Sequence, residues 1–302
     1  MRCLKTQLPK VTIHYFTKKK FEPLLASNPY IDQIHLLDKN LSELISVFKQ
    51  EKFDYIIDLH NNQRTFLIKR RLGIKSYSFN KLNIEKAMMV CFKKNRLPDI
   101  HIVDRYLETV AHLGVENDGK GLDYFIPEST AIDKFNIPFQ KYIAFAIGGQ
   151  YFTKRMPNDK ILEAIKQSKY PVVLLGGKED GENGKHIGGY FNETKVLNLC
   201  GQTSLHESAL LLKEAHWVIT HDTGMMHIAA ALGKPIVAVW GNTIPEFGMA
   251  PYPKNNRQEI TNIEVKDLGC RPCSKLGHKQ CPKKHFNCMM EIDVAQINRV
   301  ID

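Results

Sequence analysis

Between His221 and Thr243 the chain reads HDTGMMHIAAALGKPIVAVWGNT, and its opening residues are of types that hold an anion. The preceding WVIT is apolar and β-branched enough for a buried strand, and MMHIAAALG has the small residues of a tightly packed helix closed by Gly233. Asp222, Thr223 and Gly224 are therefore expected at a strand's carboxyl end and a helix's amino end. Unpaired N–H groups and the positive end of the helix dipole meet there. A phosphate is the expected ligand: Asp222 accepts a sugar hydroxyl, while the N–H groups of Thr223 and Gly224 face phosphate oxygens. His227 lies one helical turn beyond Thr223, on the same face.

Three further loops carry candidate groups. Gly148 and Gly149 follow the strand YIAFAI and lead into QYFTKRMPNDKILEAI, where Thr153 and Lys154 offer a hydroxyl and a full positive charge. That pair suits a diphosphate, though a solvated lysine before an ordinary helix has the same pattern. The loop GGKEDGENG contains Glu179, Asp180 and Glu182; a carboxylate here accepts both hydroxyls of a ribose, and plain surface acidity is the competing account. In CGQTSLHES, Ser204 reads as a helix N-cap with Glu207 as capping-box partner, and the backbone beside Thr203 is placed to form part of a base pocket. In the first half, IIDL runs into HNNQRTFLIKRR and sets Asp58, His60, Asn61, Asn62 and Arg64 at a strand end. Polar groups in such density seldom serve packing alone, so they are expected to form an acceptor site, with Arg64 facing an acidic group on it.

The elements that position these residues alternate along the chain. VTIHYF, QIHLL and FDYIIDL read as strands, with FEPLLAS, LSELISVFKQ and RTFLIKRRLG as helices among them. After a Pro-containing stretch the rhythm restarts with YIAFAIGG, DKILEAIKQS, PVVLLGG, VLNLCG, HESALLLKEA, WVIT, MMHIAAALG and PIVAVWG. This βαβ order predicts an α/β protein of two Rossmann-like halves facing each other across a cleft. The division is expected within residues 128 to 142, giving domains of 1–135 and 136–302. The chain opens with a helix, RCLKTQL, where a Rossmann-type domain usually opens with a strand. The first strand and its loop are missing from the expected order.

No apolar run reaches the roughly 20 residues that span a bilayer, and MRCLKTQLPKV lacks the apolar centre of a signal peptide, so a cytoplasmic location is expected. A formal charge of +10 calls for an anionic partner. The basic residues fall in short groups, 18–20, 69–71 and 93–96, without interleaved aromatics along one face. Nucleic acid is therefore not expected; anionic lipid headgroups, or solvation alone, are. Of seven cysteines, Cys270, Cys273, Cys281 and Cys288 crowd together as C-x2-C-x7-C-x6-C. That spacing admits structural zinc, a disulfide or free thiols.

Taken together, GG-QYFTKRMP, LLGGKEDGE, HDTGMMHIAAALGKPIVAVWGNTIPE and CRPCSKLGHKQCP resemble glycosyltransferase family nine, the lipopolysaccharide heptosyltransferases. The resemblance implies a GT-B fold, with an N-terminal acceptor domain, a C-terminal nucleotide-sugar domain and a last helix packing back toward the first. It implies inverting transfer of heptose from ADP-heptose to the inner core of lipid A-linked lipopolysaccharide, with no catalytic metal, at the inner face of the cytoplasmic membrane. By position, Lys154 neutralises the leaving diphosphate and Asp222 holds the heptose; Thr223 and Gly224 bind phosphate, Glu182 the ribose, and Thr203 stands beside adenine. In the family the general base is an aspartate in a Gly-Asp loop after the first strand, and neither that strand nor that loop is among these residues. A nucleotide-sugar binder that does not transfer, or a member with another donor, is the alternative expectation. Gln150 stands where some members carry a phosphate-binding threonine, a contact that Thr153 is expected to replace.

Overall fold

A computed structural model describes residues 1–37 and 41–302. In chain order the elements are α1 (Arg2–Gln7), β1 (His14–Lys18), β2 (Gln33–Leu37), α2 (Leu41–Gln50), β3 (Ile56–Asp58), α3 (Gln63–Leu72), β4 (Ser76–Ser78), α4 (Asn83–Phe92) and α5 (Ile102–Glu108). They continue with β5 (Ile143–Ala146), α6 (Asn158–Gln167), β6 (Val172–Leu175), α7 (Gly181–Gly188), β7 (Val196–Asn198), α8 (Leu205–Glu214) and β8 (Trp217–His221). The chain closes with α9 (Gly224–Ala231), β9 (Ile236–Trp240), β10 (Ile260–Glu264), α10 (Asn287–Met290) and α11 (Val294–Ile301). Among the described residues no helix is long and apolar enough to cross a membrane.

The chain divides into two compact units, and the division differs from the expected 135/136. The first unit comprises residues 1–82 and 100–120; the second comprises 83–99 and 121–302. The second takes back α4 because Lys93, just past that helix, donates to the carbonyls of Cys270 (3.2 Å) and Pro272 (2.6 Å).

In the first unit, β1 pairs with β2 and β3 with β4, both parallel, as two separate two-stranded sheets. The segment FEPLLAS does not form the expected α-helix. Pro23 has no N–H to give, and Lys19–Leu24 forms a 3-10 turn instead. The α3 helix begins as its sequence dictates: Asn62 accepts from the Thr65 N–H at 3.0 Å while Thr65 Oγ1 accepts from the Asn62 N–H at 2.9 Å.

The second unit is built on six parallel strands in the order β10-β9-β8-β5-β6-β7. Every residue of β5, β6, β8 and β9 is buried, which is why these segments read as unbroken apolar runs and not as alternating patterns. One face packs α6, α7 and α11 over Phe145, Leu174 and Ile219; the other packs α8 and α9 over Ala144, Val173 and Val218. The final helix, α11, places Val294, Ile297 and Ile301 in the first of these cores and contacts α6 and β10. Its apolar face is thus used within the second unit.

From β5 the chain moves outward through β6 and β7, then returns to β8 on the other side of β5 and moves outward again through β9 and β10. The loops leaving β5 and β8 therefore diverge from adjacent strand ends, the position at which open α/β sheets bind ligands. Beyond β9 the chain passes so close to the β5 loop that a Cβ on Gly241 would collide with the carbonyl of Thr153 and the side chain of Met289. Gly241→Ala is expected to lower the unfolding free energy by about 1–3 kcal/mol; an unchanged urea midpoint would show that this approach is not as close as described.

Candidate functional site

At the end of β8, His221 is wholly buried and ties the two diverging loops together. Its Nε2 accepts from the Met156 N–H at 3.1 Å, and its Nδ1 lies 3.3 Å from the Gly148 carbonyl, to which it donates. The next residue, Asp222, carries the centre of the site. Its Oδ2 lies 2.6 Å from Lys154 Nζ and accepts from Thr243 Oγ1 at 2.8 Å. The side chains of Lys154 and Asp222 keep only 14% and 11% of their exposure, so their attraction is screened less than that of a surface pair. Lys154 comes from the β5 loop, Asp222 from the β8 end and Thr243 from the loop after β9. Three strands thus deliver one constellation.

Beside it α9 begins. Thr223 is its N-cap, with extended backbone (φ −144°) and no capping bond from its side chain; its hydroxyl lies 3.4 Å from that of Thr220. The first N–H groups of α9 are therefore left uncapped by that side chain. Gly224 is exposed, and a Cβ there would meet nothing within 4 Å. His227 is half-buried on the same turn. A half-buried lysine, a carboxylate and a helix amino end are thus gathered at the sheet's switch point, an arrangement that accommodates a phosphorylated ligand carrying hydroxyls.

Other expected residues are placed differently. Thr153 is 1% exposed, and its Oγ1 accepts from the His278 N–H at 2.8 Å and donates to the His278 carbonyl at 3.2 Å. The cysteine-rich segment has taken the hydroxyl that was expected to meet a phosphate. A Cβ on Gly148 would collide with the carboxylate of Asp180, as one on Gly176 would with its side chain. Gly149 has the Arg155 side chain across it. Glu182, expected at a ribose, is 89% exposed and pairs with Lys185 at 2.8 Å. The buried carboxylate of that loop is Asp180, which accepts from the Gly177 N–H at 2.9 Å and pairs with Arg155 at 3.0 Å; Arg155 also donates to the Gly149 carbonyl at 2.6 Å. Thr203 is half-buried with its hydroxyl 2.7 Å from that of Ser208, and Ser204 caps α8 with Glu207 as its sequence requires.

In the first unit the loop after β3 has its own internal order. Asp58 Oδ1 accepts from the N–H groups of His60 (3.0 Å) and Asn61 (2.7 Å), and Oδ2 pairs with Lys69 at 2.8 Å. Burial pushes its carboxyl up, but the hydrogen bonds from Lys69, Asn61, Thr65 and His60 outweigh that and hold it below the usual range. Asp58 and Asn62 are therefore committed to shaping the loop, and Asn61 takes a left-handed backbone (φ 43°) at its bend. His60 and Arg64 are exposed. The late cysteines are thiols, with Cys288 buried and the other three half-buried. Burial, reinforced by Cys273, Cys281 and Cys270, pushes the Cys288 thiol up to about 12. Among the described residues no three His, Cys, Asp or Glu side chains converge as metal ligands.

The chain belongs to glycosyltransferase family 9 (heptosyltransferase), whose family model matches residues 42–285. It is similar to lipopolysaccharide heptosyltransferase 2 of Salmonella typhimurium, with 36% identity over 35% of this chain and 32% of that protein. The match therefore spans about a third of that relative's length. With lipooligosaccharide heptosyltransferase 2 of Haemophilus influenzae it shares 28% identity over 81% of this chain and 78% of the relative. The solved structure of E. coli ADP-heptose lps heptosyltransferase II superposes with a TM-score of 0.67 at 20% identity, over 99% of this chain and 92% of that one. That likeness shows the fold, GT-B.

The wholly buried His221 gives a pH signature. Burial is the main cause of its pKa falling from 6.5 to about 4, with Arg155 adding to the shift. The unfolded chain takes up this proton near pH 6.5 and the folded chain only near 4, so its contribution is fully present above 6.5 and is lost as pH falls toward 4. Between those limits roughly 3 kcal/mol of stability should disappear. Urea unfolding of wild type and His221→Gln at pH 7.0 and 4.5 should show a smaller acid loss in the variant; equal losses would mean that the imidazole is not buried neutral.

Proposed function

We propose that this chain is an inverting glycosyltransferase that moves heptose from ADP-heptose to the inner core of lipid A-linked lipopolysaccharide. The observation that carries this reading is the meeting of Lys154, Asp222 and the amino end of α9 at the switch point of a sheet in a family 9 chain. Inverting transfer forms a bond from an acceptor hydroxyl oxygen to the anomeric carbon as the bond to the diphosphate breaks; the hydroxyl proton passes to a base on the acceptor side, and negative charge grows on the leaving diphosphate oxygen. Lys154 and the α9 N–H groups supply positive charge there, which is electrostatic stabilisation delivered by groups already in place. The reading therefore needs no catalytic metal. Asp222, held on its other side by Thr243, accepts hydroxyls of the sugar.

The exposed Gly224 admits the diphosphate against the backbone of Thr223 and Gly224, with His227 on the same turn. The backbone near Thr203 borders the base, and the resemblance to the family assigns the exposed Glu182, whose partner in the structure is Lys185, to the ribose. On the acceptor side, His60, Asn61 and Arg64 are exposed beyond β3, and Arg64 suits an anionic acceptor. A location in the cytoplasm, with peripheral contact at the inner face of its membrane, fits both the acceptor and the charge of +10. On α4, Ile84 and Phe92 are 74% and 70% exposed beside Lys94 and Arg96, a mixture suited to an anionic lipid surface.

Thermal midpoints with ADP, UDP, GDP and ADP-heptose test the donor. A ligand held only by the folded state raises stability by about 2.7 kcal/mol at a hundredfold excess over its Kd. ADP should stabilise the protein more than UDP or GDP, and ADP-heptose more than ADP; equal shifts for all three bases would remove adenine from the proposal. Lys154→Met should weaken ADP binding by roughly ten- to a hundredfold, the worth of a charged hydrogen bond. Gly224→Ala should leave the unfolding free energy within about 0.5 kcal/mol of wild type while weakening ADP, since the added methyl enters the space assigned to phosphate. Undiminished ADP affinity in both variants would move the donor away from α9.

A further inference from the structure

Arg271 belongs to the cysteine-rich segment, which the proposed mechanism does not use, yet its guanidinium is among the most heavily engaged groups in the second unit. Its side chain is 7% exposed and pairs with Glu264, at the end of β10, at 2.6 Å. The other bonds go to backbone carbonyls: Nε donates to Gly241 at 2.5 Å, Nη2 to Thr243 at 2.8 Å and Nη1 to Val265 at 3.2 Å. Two of these carbonyls flank Asn242 in the short loop that leaves β9. Thr243 itself is 1% exposed, and its hydroxyl donates a 2.8 Å bond to Asp222 Oδ2. That same oxygen faces Lys154 at 2.6 Å.

We propose that Arg271 and Thr243 are positioning residues for the sugar-binding carboxylate: Arg271 fixes the Gly241–Thr243 loop, and the Thr243 hydroxyl fixes the carboxylate plane of Asp222. This rests on the donor-site reading given above. A carboxylate beside a lysine is otherwise free to rotate toward it and present both oxygens to the ammonium. A second donor on Oδ2 holds that oxygen between Thr243 and Lys154 and leaves Oδ1 to accept from a ligand hydroxyl. Lysine cannot replace Arg271, because three carbonyls and a carboxylate in different directions require the planar fork of a guanidinium. The segment that follows reaches the neighbouring loop too, through His278 on Thr153. The cysteine-rich region therefore braces two of the three strand exits that deliver the constellation, those after β5 and β9.

Calorimetric titration of ADP-heptose and of ADP into wild type, Thr243→Val, Thr243→Ser and Arg271→Lys tests the proposal, with Arg271→Lys and Thr243→Val each repeated in an Asp222→Asn background. Thr243→Val exchanges a hydroxyl for a methyl of the same shape, so it remains informative should Arg271→Lys fold poorly. Thr243→Val and Arg271→Lys should weaken ADP-heptose by roughly ten- to a hundredfold and ADP by less, because ADP lacks the sugar assigned to Asp222. Thr243→Ser should restore the loss. In the Asp222→Asn background neither change should add to the loss already present, since residues acting through one carboxylate are not additive. Wild-type affinity in Thr243→Val, equal losses for the two ligands, or losses that add in full to Asp222→Asn would each overturn the positioning role. Failure of wild type to bind either ligand would instead overturn the donor-site reading, and this role with it.

Discussion

A sheet buried on both faces can meet a ligand only at the ends of its strands, and much of the second unit follows from that constraint. The interior of β5, β6, β8 and β9 is closed to water, so every polar group that acts on a ligand must stand at a strand exit. The reversal of strand order between β5 and β8 opens the one place where neighbouring exits lead apart. A lysine and a carboxylate far apart in sequence become ion-paired neighbours there. Neither could remain half-buried without the other, since an unpaired charge in that position carries a large desolvation cost. The pair is thus both a consequence of the topology and a condition on it.

Around this pair, the loops are fixed by groups that do not touch a ligand. His221 bridges two backbones from inside the sheet, Asp180 fills the space above Gly148 and Gly176, and Thr153 is bonded across to His278. Each removes freedom from a loop that would otherwise have to be ordered by the substrate, and preorganisation of this kind lets binding energy act on the transition state. The glycines of these loops are small for two different reasons. At Gly148, Gly176 and Gly241 protein atoms occupy the space, whereas at Gly224 the space is open.

The second unit was largely legible in the sequence because strands buried on both faces appear as short unbroken apolar runs, and YIAFAI, PVVLLGG, WVIT and PIVAVWG all became strands. Asp222, Thr223 and Gly224 could be placed at a strand end and helix start from local pattern alone, and Lys154 followed from the parallel rhythm. What could not be read were pairs made at long range. Nothing local distinguishes Asp180 from Glu182, two residues apart in one acidic segment; only the proximity of Arg155 and of two glycines makes the first a buried anchor and leaves the second in solvent. Thr153 looked like a ligand donor because its partner, His278, lies 125 residues away. Arg271 gave no signal at all, since an arginine between two cysteines draws attention to the cysteines. In the first unit, Pro23 was the available clue that FEPLLAS would not make an α-helix, and Asp58 read as a ligand group although its nearest partners, two backbone N–H groups, were only two and three residues on.

The excursion of residues 83–99 into the second unit makes each unit discontinuous in the chain. During synthesis, the amine of Lys93 leaves the ribosome 177 residues before the carbonyl of Cys270 that will accept from it. The second unit therefore cannot complete its packing around α4 until nearly the whole chain has been made, and α4, with Ile84 and Phe92 uncovered, must wait in the meantime. For recombination between relatives the consequence is equally concrete. An exchange of one intact unit requires junctions at 82/83, 99/100 and 120/121 together, so a single crossover always divides at least one of the two units between parents.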